Sequence, residues 1–457
     1  MSRISLTEGS VPRSLVRFAV PFMLASLLQV LYGAVDLFVV GRFADTAAVS
    51  AVSTGSQVMS MVTNIVLGVT TGTTVLMGQY FGARREKDLA STLGTSVVLF
   101  AALSAVTTVL MLLLNGAIVG AMQVPAVAEA GARDYVFICS AGVVFIVGYN
   151  VVAAVLRGLG DSRTPLYFVG IACAVNVVMD FALVAGCHMG AAGAAAATVL
   201  AQGISFAASL VYLKRRGVGF AFSMRDVRFW PDKAARTLRL GLPAALQNGL
   251  VSLSFLIITM IINRMGVVAS ASVGVVEKLI GLLMLPPSAF SAAVSAMTAQ
   301  NVGAGRYPRA KRCMRWGIGL SLAAGAVACV WAQAAPQMLV SLFTDKQEVV
   351  IVASEYLRSY ALDCLLVAFV FCMNGFLSGC GCAVFCMAHN LAATFALRIP
   401  LSFLFSRMSG DSLYPMGLAA PLASLGSILL CALYLRRLDR NPPGGAGDEQ
   451  HTDGTGA

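Results

Sequence analysis

The chain has 457 residues, 58% of them hydrophobic and 12% charged, with a formal net charge of +11. Soluble domains carry about 25% charged residues, so a water-soluble fold is excluded. The basic excess does not point to nucleic acid, because it gathers in connections on one side of a membrane.

Apolar runs predict twelve membrane-spanning helices, near residues 15–40, 50–77, 92–118, 134–158, 165–187, 190–213, 240–263, 269–297, 312–334, 356–379, 383–408 and 414–437. Lys and Arg number 24 in the N-terminus, the even-numbered connections and the C-terminus, against 6 in the odd-numbered connections. That asymmetry places both termini in the cytoplasm of a multi-pass protein of the plasma or inner membrane. The first apolar run is too long for a cleavable signal peptide and follows Arg3, Arg13 and Arg17, as in an uncleaved first span.

Span 1 holds Gln29, Tyr32 and Asp36 at spacings of three, four and seven, so the three share one helical face. A charge deep in a membrane helix costs ~2.5–3.5 kcal/mol on insertion scales. Such a residue is retained where it faces a wet cavity or a partner, so Asp36 marks a functional site.

Span 4 contributes Asn150, a further polar candidate for the same cavity. Span 5 places Asn176 and Asp180 at i and i+4, again on one face, and span 6 offers Thr198 amid small residues that allow close helix contact. Two buried acids with amide, hydroxyl and phenol partners suit binding of H⁺ or Na⁺. Desolvation favours the neutral carboxyl, while an oxygen-rich cage favours a bare cation.

The basic stretch Lys214–Arg239 separates two halves that repeat. Pro21 and Arg42 recur as Pro243 and Arg264, both 222 residues later. Gln79, Gly158 and Gly160 recur as Gln300, Gly379 and Gly381, each 221 later, and Met189–Gly190 as Met416–Gly417 at 227. Six spans per half begin on the same side, a parallel repeat about an axis along the membrane normal, as in transporters that work by alternating access. The expected organisation is an N-terminal lobe over 1–213, a linker over 214–239, a C-terminal lobe over 240–437 and a disordered tail over 438–457.

The halves differ chemically: Asp36 is matched by Ile258, and the C-terminal half carries Glu277, Lys278, Asp363 and Arg398 within or near its spans. Glu277 and Lys278 are adjacent and point to different faces. Asp363 falls near the outer end of span 10, where water would solvate it. Gln247 and Asn248 of span 7 are candidates for hydrogen bonds to a substrate or to a neighbouring helix. Cys372, Cys380, Cys382 and Cys386 fit no common zinc spacing and read as small packing residues, so no metal is expected there. His188 and His389 stand apart from any catalytic set, so an enzyme is not expected, and no G-x4-G-K-[ST] sequence is present, so ATP drive within this chain is not expected.

Several motifs taken together resemble the multidrug and toxic compound extrusion (MATE) transporters over about Ser14–Arg437. They are PFML…LQVLYGAVDLFVVGR in span 1, GQYFGAR and AQNVGAGR after spans 2 and 8, LRGLGDSRTP after span 4, NVVMD in span 5, MGAAGAAAATVLAQ in span 6 and NGFLSGCG in span 10. The resemblance implies an all-α membrane protein of two six-helix lobes. It also implies antiport of amphipathic, often cationic organic compounds against H⁺ or Na⁺, with no cofactor and no obligate protein partner. A cation-coupling set at Asp36, Asn176, Asp180 and Thr198 follows from it, with Gln29 and Tyr32 in a drug- and proton-linked network. Asp363 resembles a helix 10 aspartate of some members. Gln247 and Asn248 stand where some members carry a glutamate for Na⁺. A flippase of lipid-linked saccharides or a narrow-substrate metabolite exporter is the alternative expectation.

Overall fold

The computed structural model describes residues 6–408 and 412–440, and all regular elements among them are helical. The first seven helices are α1 (Val11–Phe43), α2 (Thr46–Gly82), α3 (Glu86–Ala121), α4 (Ala126–Ala141), α5 (Val143–Gly158), α6 (Arg163–Asp180) and α7 (Gly190–Arg216). Between α6 and α7 the helix widens into a π segment, Phe181–Gly186. Then follow α8 (Pro231–Asn263), α9 (Val267–Leu283), α10 (Leu285–Gly303), α11 (Tyr307–Ala334), the short α12 (Pro336–Val340), α13 (Gln347–Ala361) and α14 (Asp363–Gly379). The chain closes with α15 (Ala383–Ala392), a second π segment Ala393–Arg398, α16 (Ile399–Met408), α17 (Tyr414–Gly417) and α18 (Ala419–Arg440).

Ten of the described helices are long and apolar enough to cross a membrane, and two bent pairs bring the number to twelve. Those pairs are α4 with α5, bent by 49°, and α13 with α14, bent by 44°. Their first members begin well before the spans expected at 134 and 356. The apolar run is interrupted there by charged side chains, yet the helix tolerates them: Arg133 pairs with Glu129 one turn back at 2.6 Å on the exposed face. At the other end of the chain, Leu438–Arg440 are helical rather than part of a disordered tail. Asp439 is held by Lys311 at 2.7 Å and by the Tyr307 hydroxyl at 3.1 Å, which fixes that last turn. The rest of the expected tail lies outside the described residues.

The described residues fall into two compact units. Leu24–Ala245 forms one, and the residues up to Met23 together with those from Leu246 onward form the other. The divisions lie two residues past Pro21 of α1 and two past Pro243 of α8. The basic stretch 214–239 therefore belongs to the first unit, and α8 already starts at Pro231 inside it. Lys233 anchors that start, pairing with Asp88 of α3 at 2.6 Å and donating to the Tyr80 hydroxyl of α2 at 3.1 Å. In the second unit the segment before α1 is fastened in the same manner. The Leu6 amide donates to the Gln300 side chain at 3.1 Å, and Arg306 and Arg309 donate to the carbonyls of Thr7 and Glu8.

Within each unit the helices pack in the same order: α2 lies against α4 and α5, and its counterparts α9 and α10 lie against α13 and α14. The break between α9 and α10 has a local cause, since Pro286 and Pro287 at the start of α10 cannot donate to the preceding turn. The offset of 221 residues reaches single contacts. Gly160 has φ 90° and Gly381 φ 91°, and the amides of Asp161 and Cys382 return to the carbonyls of Leu156 and Leu377 at 2.8 and 2.9 Å.

Candidate functional site

Inside the first unit, α1, α2, α4, α5, α6 and α7 enclose a cavity of about 300 Å³. Gln29, Tyr32 and Asp36 of α1, Asn150 of α5 and Thr198 of α7 line it, as their shared faces require. Asn176 and Asp180 of α6 are not on its wall. They are fully buried and face the Asp36 carboxylate, as does Thr198. Four residues chosen from three separate apolar runs are thus one group.

The polar atoms of that group are unusually short of partners. Both carboxylate oxygens of Asp180, both amide atoms of Asn176, Oδ1 of Asp36, the Thr198 hydroxyl and the Tyr32 hydroxyl are buried without a well-formed hydrogen bond. Buried polar groups are paired in most folded proteins, and each exception asks for an explanation. Among the described residues lining the cavity there is no Lys, Arg or His to pair with the Asp36 carboxyl. The donors are mostly oxygen, and their chemistry fits a proton or a small hard cation.

Several lining residues escape a search for charges in apolar runs. Ser56, Ser60, Thr63 and Asn64 form a stripe along α2 at helical spacing, and Tyr135 of α4 and Gln202 of α7 complete the polar wall. Their periodicity was the available signal. Some of the wall is internally satisfied: Asn150 donates to the Ile146 carbonyl at 2.8 Å, Ser205 to Phe168 at 2.9 Å and Tyr149 to Pro165 at 3.3 Å.

The remaining candidates lie in the second unit. Gln247 and Asn248 are half-buried on α8, and Ile258, the counterpart of Asp36, is buried among apolar neighbours. Glu277 is half-buried while Lys278 is exposed, in keeping with their different faces. Asp363 is buried at 5% exposure, not solvated near a helix end. The reason is α13, which extends the span beyond the expected start and places Asp363 at an internal bend. His389 is buried between Asn374 at 2.7 Å and Ser427 at 2.9 Å. Cys372, Cys380 and Cys386 are buried free thiols and Cys382 is partly so.

The MatE family model matches the chain twice, over residues 21–182 and again over 243–404, the same interval of 222 that separates Pro21 from Pro243. The chain belongs to the MATE family. It is 30% identical over 436 residues to the probable multidrug resistance protein YpnP of Bacillus subtilis (strain 168), covering 95% of this chain and 97% of that one. It is 28% identical to the probable multidrug resistance protein YoeA of the same organism, covering 94% of each. A crystal structure of MATE in the straight conformation superimposes with a TM-score of 0.90 at 20% identity, over 96% of this chain and all of that one. This MATE protein is therefore a multi-pass, all-helical member of a transporter family, with the family model repeated once in each half.

Proposed function

We propose that this MATE protein is a secondary antiporter of the plasma or inner membrane, with both termini cytoplasmic. In this reading it exports amphipathic, often cationic organic compounds in exchange for H⁺ or Na⁺. The observation that carries the reading is the set of unpartnered polar atoms on Asp36, Asn176, Asp180 and Thr198 beside a cavity without a basic group. A cation entering that set supplies the missing partner. The carboxylates of Asp36 and Asp180, the Asn176 carbonyl oxygen and the Thr198 hydroxyl would hold Na⁺, or either carboxylate would take a proton.

Asp36 reaches both the buried group and the cavity wall, so the ion and a cationic substrate share one carboxylate. Loading the ion weakens the hold on the substrate, and the reverse follows by linkage. An ion drives export only through unequal affinity for the two access states, so the externally open state must bind it more tightly. The names of the relatives YpnP and YoeA, as probable multidrug resistance proteins, support the substrate class.

The test is ethidium efflux in proteoliposomes under an imposed pH gradient and, separately, an imposed Na⁺ gradient, for the wild type and Asp36→Asn. Efflux should follow one gradient and disappear in the variant while the variant remains monodisperse. Undiminished gradient-driven efflux by Asp36→Asn would overturn the assignment.

A further inference from the structure

The second unit carries its own buried acids, and they are arranged around an arginine. Arg398 closes the π segment Ala393–Arg398, as Asp180 immediately precedes the π segment of the first unit. Such widened turns recur at functional sites, because they rotate a side chain out of the ordinary helical register. The Arg398 guanidinium lies 4.4 Å over the Phe255 ring of α8 and receives no carboxylate in ion-pair contact among the described residues. Among the described residues its direct polar partner is the Tyr360 hydroxyl, to which it donates at 3.1 Å.

The charged and titratable groups whose fields reach it are Tyr360 and Tyr356 of α13, Asp363 of α14 and Glu277 of α9. Lys278 is exposed and takes no part. Asp363 is buried, faces Ser424 of α18, and leaves Oδ1 without a hydrogen bond. Two acids thus act on one guanidinium, and one of them keeps a buried carboxylate oxygen without a hydrogen bond. The Asp36 group has the complementary arrangement, two acids beside a cavity whose described lining holds no basic side chain.

We infer that Arg398 is a tethered counter-cation, standing where Glu277 and Asp363 would otherwise draw a free monovalent cation into the second unit. Exchange of ions is thereby confined to the Asp36 group, and the second unit keeps a fixed charge through the transport cycle. The phenyl face of Phe255 and the Tyr360 hydroxyl hold the guanidinium in place, and no short ion pair neutralises it among the described residues. A lysine preserves the charge but loses the planar stacking. The inference rests on the reading of the Asp36 group as the ion site of the first unit, but not on what the exporter carries.

The experiment uses full-length protein in the Asp36→Asn/Asp180→Asn background, which silences the first unit. Radiolabelled Na⁺ binding and proton uptake are measured with Arg398 intact, as Arg398→Gln, as Arg398→Lys, and as Arg398→Gln with Glu277→Gln and Asp363→Asn. Arg398→Gln should gain cation affinity on the order of tenfold to a thousandfold, the range a unit charge ~4–6 Å away exerts on a carboxylate. Na⁺ binding and proton uptake distinguish which cation enters. The parent, the lysine variant and the triple substitution should show no such gain. A folded Arg398→Gln protein that gains neither Na⁺ binding nor proton uptake overturns the inference, as does a gain that persists in the triple substitution. Should Arg398→Gln fail to fold, rescue by the two acid substitutions supports it, and failure of rescue overturns it.

Discussion

Gly158 presses so closely on Thr74 that a Cβ at the glycine would stand 2.7 Å from the Thr74 carbonyl oxygen. In the second unit, 221 residues on, Gly379 meets the Ser295 carbonyl in the same way, at 2.6 Å. Neither backbone oxygen is free to move, since each belongs to a continuous helix. Gly158→Ala and Gly379→Ala should each destabilise the protein by about 1–3 kcal/mol through overpacking. Thermal unfolding in detergent measures this, with Gly170→Ala as the control, because a Cβ there meets nothing within 4 Å. Equal midpoints for Gly158→Ala and Gly170→Ala would refute the close-contact account.

These glycines were legible in the sequence for the same reason that they matter: a close backbone approach admits only one residue type, so the repeat is written in them. Asp36, Asn176, Asp180 and Thr198 were legible because polar groups stand out in apolar helices. Tyr135 and the α2 stripe from Ser56 to Asn64 were not, since single hydroxyls are ordinary in membrane helices and only their convergence on one cavity gives them meaning. The π segments leave no mark in residue type. Asp363 was misplaced because the charged residues of α13 hide a helix from a hydropathy reading, and with it the true start of the span.

Lys233 should prove a structural anchor for the start of α8. Its ammonium is largely buried and bonded to both Asp88 and Tyr80. Lys233→Met leaves Asp88 with Arg85 at 2.6 Å as a remaining partner, so the expected loss is about 1–3 kcal/mol rather than the larger cost of a fully orphaned charge. Thermal unfolding of Lys233→Met, Asp88→Asn and the double variant decides it. Contact between the two residues requires the double loss to fall short of the sum.

Asp36 and Asp180 should separate by assay although they face one another. Asp36 lines the cavity and Asp180 does not. Asp36→Asn should weaken both gradient-driven efflux and equilibrium binding of a cationic dye. Asp180→Asn should lose the dependence of efflux on the ion gradient while dye binding without a gradient stays within about twofold, a change of less than ~0.5 kcal/mol. The double variant should be no worse in coupled efflux than either single one, because both act in one group. Equal losses of dye binding in the two single variants would show that the acids do not divide the work in this way.

The polar stripe on α2 should set the size and character of what the cavity admits. At about 300 Å³ the cavity is at the small end of ligand pockets, which run ~300–1,000 Å³, so a single bulky side chain matters. Ser60 sits on its wall, on the face shared with Ser56 and Thr63. Ser60→Phe should therefore exclude large substrates sterically while leaving the acid available to ions and small cations. Ethidium efflux should fall roughly tenfold or more, whereas tetramethylammonium efflux should stay within about twofold, the pattern of a pocket that discriminates by shape. Substitution of Ser60 by Ala removes the hydroxyl without filling space and should leave ethidium efflux unchanged. A parallel loss of both substrates in a folded Ser60→Phe protein would mean that the cavity does not discriminate them by size.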